Sequence, residues 1–258
     1  MATFENELTT SAGGVNTLAI TSPGTASGTG LAIVVLAAQR NVTYTITSTS
    51  GHTWTVVRDG SVGGQIGGCT TYVYSTPVTS GATPNFTATW AAPIASGDMI
   101  LRYFNIIGAT TVHDGDEDTE EQTEAGSAIT LTSDLVDEGF DASTAEIIVS
   151  TGFESPNSAN QDFSDFMHTY DARFTEGAYH QLDSAASGQV RHLQLMYDLD
   201  PASPSAEAES VSGTTNNVAG TATVRYGSIR LLFDRTARGS AGWAWHNGEP
   251  RWQVVRGM

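Results

Sequence analysis

Two stretches separated by three residues decide the fold class: Leu31-Ala-Ile-Val-Val-Leu-Ala-Ala38 and Val42-Thr-Tyr-Thr-Ile-Thr47. The first is an unbroken apolar run of strand length, the pattern of a strand buried on both faces. The second alternates strictly, so Val42, Tyr44 and Ile46 share one face and three threonines the other, as in a half-buried strand. Strand-like runs recur on both sides of this pair: Thr53-Trp-Thr-Val-Val-Arg58, Thr70-Thr-Tyr-Val-Tyr-Ser75, Asn85-Phe-Thr-Ala-Thr-Trp90 and Met99-Ile-Leu-Arg-Tyr-Phe-Asn-Ile106. The second half continues with Ala128–Thr132, Glu146–Gly152, Val190–Tyr197, Thr221–Tyr226 and Ile229–Phe233.

Between the runs lie Gly51-His52, Asp59-Gly60, Gly63-Gly64, Gly67-Gly68, Ser80-Gly81 and Ser96-Gly97-Asp98. Glycine supplies positive φ there, and Ser and Asp offer side-chain bonds to the backbone. Many short strands joined by such turns predict an all-β fold, a sandwich or barrel. No short repeat of the propeller or solenoid kind is visible. Asp134–Gly139 and Asp162–Tyr170 are each expected to hold a helical turn, and Pro201–Ser210 an exposed loop. Residues 1–20, polar and rich in Gly and Thr, read as an N-terminal arm. Residues 21–235 read as one sandwich and residues 236–258 as a C-terminal arm.

Composition narrows the function. The 258 residues carry 11 basic and 28 acidic side chains, for a net charge of −17. Every basic residue is Arg, and without Lys there is no Walker lysine, pyridoxal Schiff base or Ser-Lys dyad. The acidic balance argues against partners that present phosphate backbones or anionic membranes. Cys69 is the single cysteine, so neither an internal disulfide nor a cysteine-rich metal site can form. The start, Met1-Ala-Thr-Phe-Glu-Asn-Glu7, lacks a basic segment followed by an apolar one, and no apolar run reaches membrane-spanning length. Synthesis in the cytoplasm without a signal peptide is the expectation.

Three groups of residues carry possible chemistry. Asp114, Asp116 and Asp118 match the first ligand positions of a calcium loop, but Thr119 and Ala125 stand where an EF-hand needs Gly and Glu. A looser calcium cage, or a solvated acidic loop, remains. Asp162, Asp165, His168, Asp171 and His180 have metal or acid–base character without a known ligand spacing. Asp59-Gly60-Ser61-Val62-Gly63 lacks the first Gly of a nucleophile elbow. No catalytic residues are assigned, and an enzyme is not expected. Trp243, Trp245, Trp252, Arg238 and Arg251 concentrate in the C-terminal arm and are interface candidates, because Trp and Arg anchor protein contacts. The same indoles could fold back on the chain or stack on sugar.

Five segments together resemble modules of tailed-phage virion proteins: Leu31–Ala38, Gly51-His-Thr-Trp-Thr-Val-Val57, Thr71–Gly81, Phe86-Thr-Ala-Thr-Trp90 and Gly97-Asp-Met-Ile-Leu-Arg-Tyr-Phe104. The resemblance implies a jelly-roll-like antiparallel β-sandwich. It further implies a virion role as a capsid decoration, minor capsid, head-fibre or turret protein, with the major capsid protein as a partner and a homo-oligomeric state. A tail or tail-fibre component is the alternative within the virion. A carbohydrate-binding adhesin module that meets host-surface glycans is the alternative outside it.

Overall fold

The computed structural model describes residues 2–38, 44–59, 65–66, 69–90, 97–125, 129–136, 145–156, 164–177, 179–184, 189–199, 209–216, 221–235, 241–246 and 249–254. Among these residues every regular element is a strand. The first nine are β1 (Thr3–Val15), β2 (Thr17–Thr21), β3 (Gly30–Ala38), β4 (Tyr44–Thr47), β5 (Thr55–Arg58), β6 (Gln65–Ile66), β7 (Cys69–Val78), β8 (Asn85–Trp90) and β9 (Gly97–Ile107). The next nine are β10 (Ala109–Ala125), β11 (Ile129–Leu135), β12 (Ala145–Pro156), β13 (Ser164–Thr169), β14 (Thr175–Glu176), β15 (His180–Ser184), β16 (Gln189–Asp198), β17 (Glu209–Asn216) and β18 (Thr221–Arg235). A final pair, β19 (Ala241–His246) and β20 (Glu249–Val254), follows.

The two sets of nine have the same topology. Sheet order is β1-β9-β3-β7-β5 with β6 on β7, facing a three-stranded sheet β2-β8-β4. Advancing every number by nine gives the other two sheets, β10-β18-β12-β16-β14 with β15 on β16, facing β11-β17-β13. All pairings are antiparallel, and the protein is an all-β sandwich built of two stacked units. Gly108, at φ 86°, is the single residue between β9 and β10, so a left-handed turn that favours glycine carries the chain from one unit to the other.

The apolar run behaves as its sequence dictates, because β3 is buried along its whole length. Leu31, Ile33, Val35 and Ala37 enter a core shared with Ala145, Ile147 and Val149 of β12, Leu193 and Leu195 of β16, and Ile229, Leu231 and Phe233 of β18. This is the seam between the two large sheets. The alternate residues Ala32, Val34, Leu36 and Ala38 pack outward with Phe86, Ala88 and Tyr44 of the small sheet. In the second unit Ile148, Met196, Val224 and Tyr226 pack likewise on Ile129, Leu131 and Val211. Four layers result, with the two large sheets inside. β4 keeps its alternation over the described part, with Tyr44 buried and Thr45 and Thr47 exposed; Val42 lies outside the described residues.

Several expectations change. Residues 1–20, read as an arm, instead carry β1 and most of β2, paired to β9 and β8. Their polar composition suits edge strands, whose outer backbone and side chains meet water. The span 21–235 is divided between the two units. Ser164–Thr169 is strand rather than helical turn, because β13 pairs with β17, and Asp134-Leu135 ends β11.

The acidic run is strand as well. β10 is an edge of its large sheet and β11 an edge of its small sheet. Carboxylates of one complete the other: Val136 N–H donates to Asp116 at 2.6 Å, Asp134 N–H to Asp118 at 2.7 Å and Thr132 N–H to Glu120 at 2.6 Å. Alternate acids on β10 thus meet alternate amides from Thr132 to Val136, in β11 and just past its end, a side-chain substitute for a missing strand partner. Asp118→Ala should leave the Asp134 amide without its charged acceptor and lower stability by about 1–3 kcal/mol, read as a reduced urea midpoint with an unchanged slope. Gly152→Ala should be at least as damaging, because a Cβ there would lie 1.8 Å from Cε1 of the buried His192 imidazole; loss of soluble folded protein or a lowered midpoint checks it.

Candidate functional site

The seam between the large sheets has two borders. Along one, β1 of the first unit meets β15 of the second; along the other, β10 of the second meets β5 and β6 of the first. The contacts are reciprocal, as when two copies of one sandwich pack the same face together. Pairing registers show which residues correspond. Ile33 and Thr55 both lie opposite Ser75, as Ile147 and Thr175 both lie opposite Tyr197. Phe104 lies opposite Ile33 as Leu231 lies opposite Ile147. Phe4 lies opposite Ile106 and Val112 opposite Phe233, while Ile106 and Phe233 in turn face Leu31 and Ala145.

At the first border three rings form a column. Phe4 stacks on Tyr197 at 4.4 Å and on Phe104 at 5.3 Å between centroids. At the second border the corresponding positions hold Val112, Ser75 and Leu231. The smaller side chains leave a cleft of about 500 Å³, walled by Leu31, Val56, Val57, Ser75 and Pro77 on one side and Thr110–Asp114 on the other. Val56 is 52% exposed at its mouth. This cleft is the candidate site.

Its charged groups are fixed by ion pairs. Arg58, only 4% exposed, reaches Asp114 at 3.3 Å and pairs also with Glu117, tying β5 to β10 across the seam. Burial raises the Asp114 carboxyl above its ordinary value, and the Arg58 charge and hydrogen bond only partly offset this. On the rim, His113 Nε2 lies 3.0 Å from Asp234 Oδ2. The arrangement offers an apolar floor with hydroxyl, imidazole and carboxylate groups around it, which suits binding by shape.

The first border is closed by a different polar set. The Arg102 side chain is fully buried, pairs with Glu7 and donates to the Leu193 carbonyl at 3.3 Å. His180 Nε2 lies 2.7 Å from Ser11 Oγ, and burial, followed by the Arg102 charge, lowers the imidazole pKa.

The calcium candidates are not brought together. Asp114 faces Arg58, while Asp116 and Asp118 accept separately from the Val136 and Asp134 amides. Among the described residues no group of three His, Cys, Asp or Glu side chains is placed to hold a metal. Asp171 accepts from its neighbour Arg173 N–H at 2.8 Å, far in role from His180. Arg238 and Ser61 lie outside the described residues. The β19–β20 ribbon sets Trp243 opposite Trp252, Trp245 opposite Pro250 and Ala244 opposite Arg251. Among the described residues the ribbon's strands pair only with each other. Sequence reading missed the cleft, since Ser75, Val112 and Leu231 stand out only when set beside their counterparts.

Comparison with family models, with curated proteins and with solved structures finds no match for this chain.

The lowered His180 pKa has a defined pH consequence. The unfolded chain protonates this imidazole near 6.5 and the folded chain only below that, so its contribution is complete above pH 6.5 and is lost as pH falls through the folded value. Asp114 acts in the opposite sense, because folding favours its proton. The difference between parent and His180→Gln isolates the histidine: the variant should lose less stability than the parent between pH 7 and pH 5, measured by urea unfolding at each pH.

Proposed function

We propose that this chain is a structural protein of a tailed-virus particle, a capsid-surface component of the decoration, minor capsid, head-fibre or turret kind, which docks on neighbouring subunits through residues 236–258. The observation that carries the reading is the C-terminal ribbon. Among the described residues its two strands pair only with each other, and a two-stranded ribbon by itself is marginal in water; three of the chain's five tryptophans lie in it, a residue type that anchors protein contacts. The stacked units supply a stiff body behind that arm, since their shared seam and one-residue connection leave little freedom between them.

The strand order supports the jelly-roll part of the reading. Within each unit the first, last, third and seventh strands form one sheet and the second, eighth and fourth the other, which is the interleaving of a jelly roll; the fifth strand departs from it by joining the first sheet. The resemblance of residues 31–104 to virion modules supplies the setting. The reading invokes no catalysis.

Removing residues 236–258 should leave the two units folded, because among the described residues the ribbon shares no sheet with them, and should abolish incorporation into particles. Far-UV circular dichroism checks the first expectation and quantitative proteomics of purified particles the second. Truncated protein present at the full-length copy number would overturn the role given to the arm.

A further inference from the structure

The two units are joined by one residue and by one face. Gly108 alone separates the 11-residue β9 from the 17-residue β10, and its φ of 86° turns the chain from the first large sheet into the second. Each unit keeps a core of its own between its large and small sheets: Val34, Leu36 and Phe86 belong to the first, Ile148, Met196 and Leu131 to the second. What the units share is the seam, where Ile33 and Val35 lie among Ile147, Val149 and Leu231. Arg58 crosses it to Asp114 and Glu117, and Arg102 crosses it to the Leu193 carbonyl.

The chemistry of the seam is indifferent to which chain supplies each face. A second copy presents the same two faces, so the first unit of one chain fits the second unit of another, and the reciprocal pair remakes every seam contact a second time. The connection selects between the two arrangements, because a single residue has no slack. With residue 108 at positive φ the chain doubles back and the seam closes within it. With residue 108 extended, β9 and β10 run on as one strand, and both seam faces are left to a partner.

We infer that the seam face of each unit is also the surface by which this chain takes a second copy of itself, in a dimer whose first units close on the partner's second units with residue 108 as the hinge. The dimer is a closed two-fold pair with two seams. The choice between closure and exchange is made during folding, while the seam faces are open; in the folded protein the whole seam must part before partners change. A net charge of −17 on each chain opposes pairing, so salt favours the dimer. The inference stands on the seam and the hinge and is independent of the virion reading.

The test acts on the hinge. Gly108→Val puts a β-branched side chain at a positive φ that strains it, and an extended hinge relieves the strain. Gly108→Asn is the control, since asparagine tolerates the left-handed region. Full-length parent and variants are refolded from urea at high salt over a range of protein concentrations, then diluted and followed by size-exclusion chromatography with light scattering. Circular dichroism checks the fold. The parent should give monomer and dimer, with a dimer share that rises with refolding concentration and persists after dilution. Gly108→Val should raise the dimerisation constant about a hundredfold, about tenfold for each of the two hinges. Gly108→Asn should stay close to the parent.

A pair of charge variants tests that the dimer is an exchange. Arg58→Glu breaks the ion pair from the first unit and Glu117→Arg from the second. In an exchanged mixed dimer the two substitutions meet across one seam and the two native residues across the other, so both seams are repaired. Refolded together, these variants should form at least tenfold more dimer than either forms alone. A parent without dimer at any refolding concentration would overturn the inference, as would a folded Gly108→Val that stays monomeric or one that Gly108→Asn equals. Charge variants with no preference for each other overturn it as well, and they decide the matter on the native hinge if Gly108→Val does not fold.

Discussion

The structure depends on one apolar layer, the seam in which Ile33 and Val35 of β3 and Ile147 and Val149 of β12 are buried among residues of β9, β16 and β18. A sheet with one apolar face needs a single cover. Here each large sheet gives one face to the seam and must still bury the other, so the small sheets β2-β8-β4 and β11-β17-β13 follow as a requirement. The four layers are the consequence of an inner pair with no face left for water. Continuous apolar strands such as β3 are the sequence record of that demand.

Where the seam ends, polar groups take over, and their placement follows from the cost of burying charge. Arg102 has its guanidinium within the seam and is held by Glu7 and the Leu193 carbonyl. Arg58 is nearly as buried and is shared by Asp114 and Glu117. In both cases the arginine belongs to the first unit and a partner belongs to the second. Such pairs add little to stability over apolar residues of the same size, but one left without its acid would be costly, so they fix the relative position of the sheets. The ladder from Asp116, Asp118 and Glu120 to β11 applies the same economy to an edge, because carboxylates on alternate positions reach amides on alternate positions.

Much of the fold was legible in the sequence because strand burial is written as period. Leu31–Ala38 announces a strand buried on both faces, and Tyr44-Thr-Ile-Thr47 one with a wet face. The acidic run was misread for a physical reason: charge density signals solvation, whereas three of these acids are spent on backbone amides of a neighbouring strand. The N-terminal strands were misread because edge strands need few apolar residues. The likeness of the two units is not legible in the sequence, because what they share is register and facing. Corresponding positions hold residues as different as Ser75 and Tyr197 or Phe4 and Val112, and only the pairing ladder equates them.

That freedom at corresponding positions lets the two borders of one repeated topology differ. In a pair of identical units both borders of the seam would be alike, either both closed by rings or both open. Joining the units in one chain lets each border vary alone. The border closed by Phe4, Tyr197 and Phe104 holds the seam together, and with that secured the other can lose its rings without loosening the pair. The cleft beside Val112 and Ser75 is thus a place where packing volume is dispensable. Its walls are still the rigid edges of two inner sheets, with Arg58 tying β5 to β10 beneath them. A preformed apolar opening on a stiff frame binds without the cost of ordering its own walls.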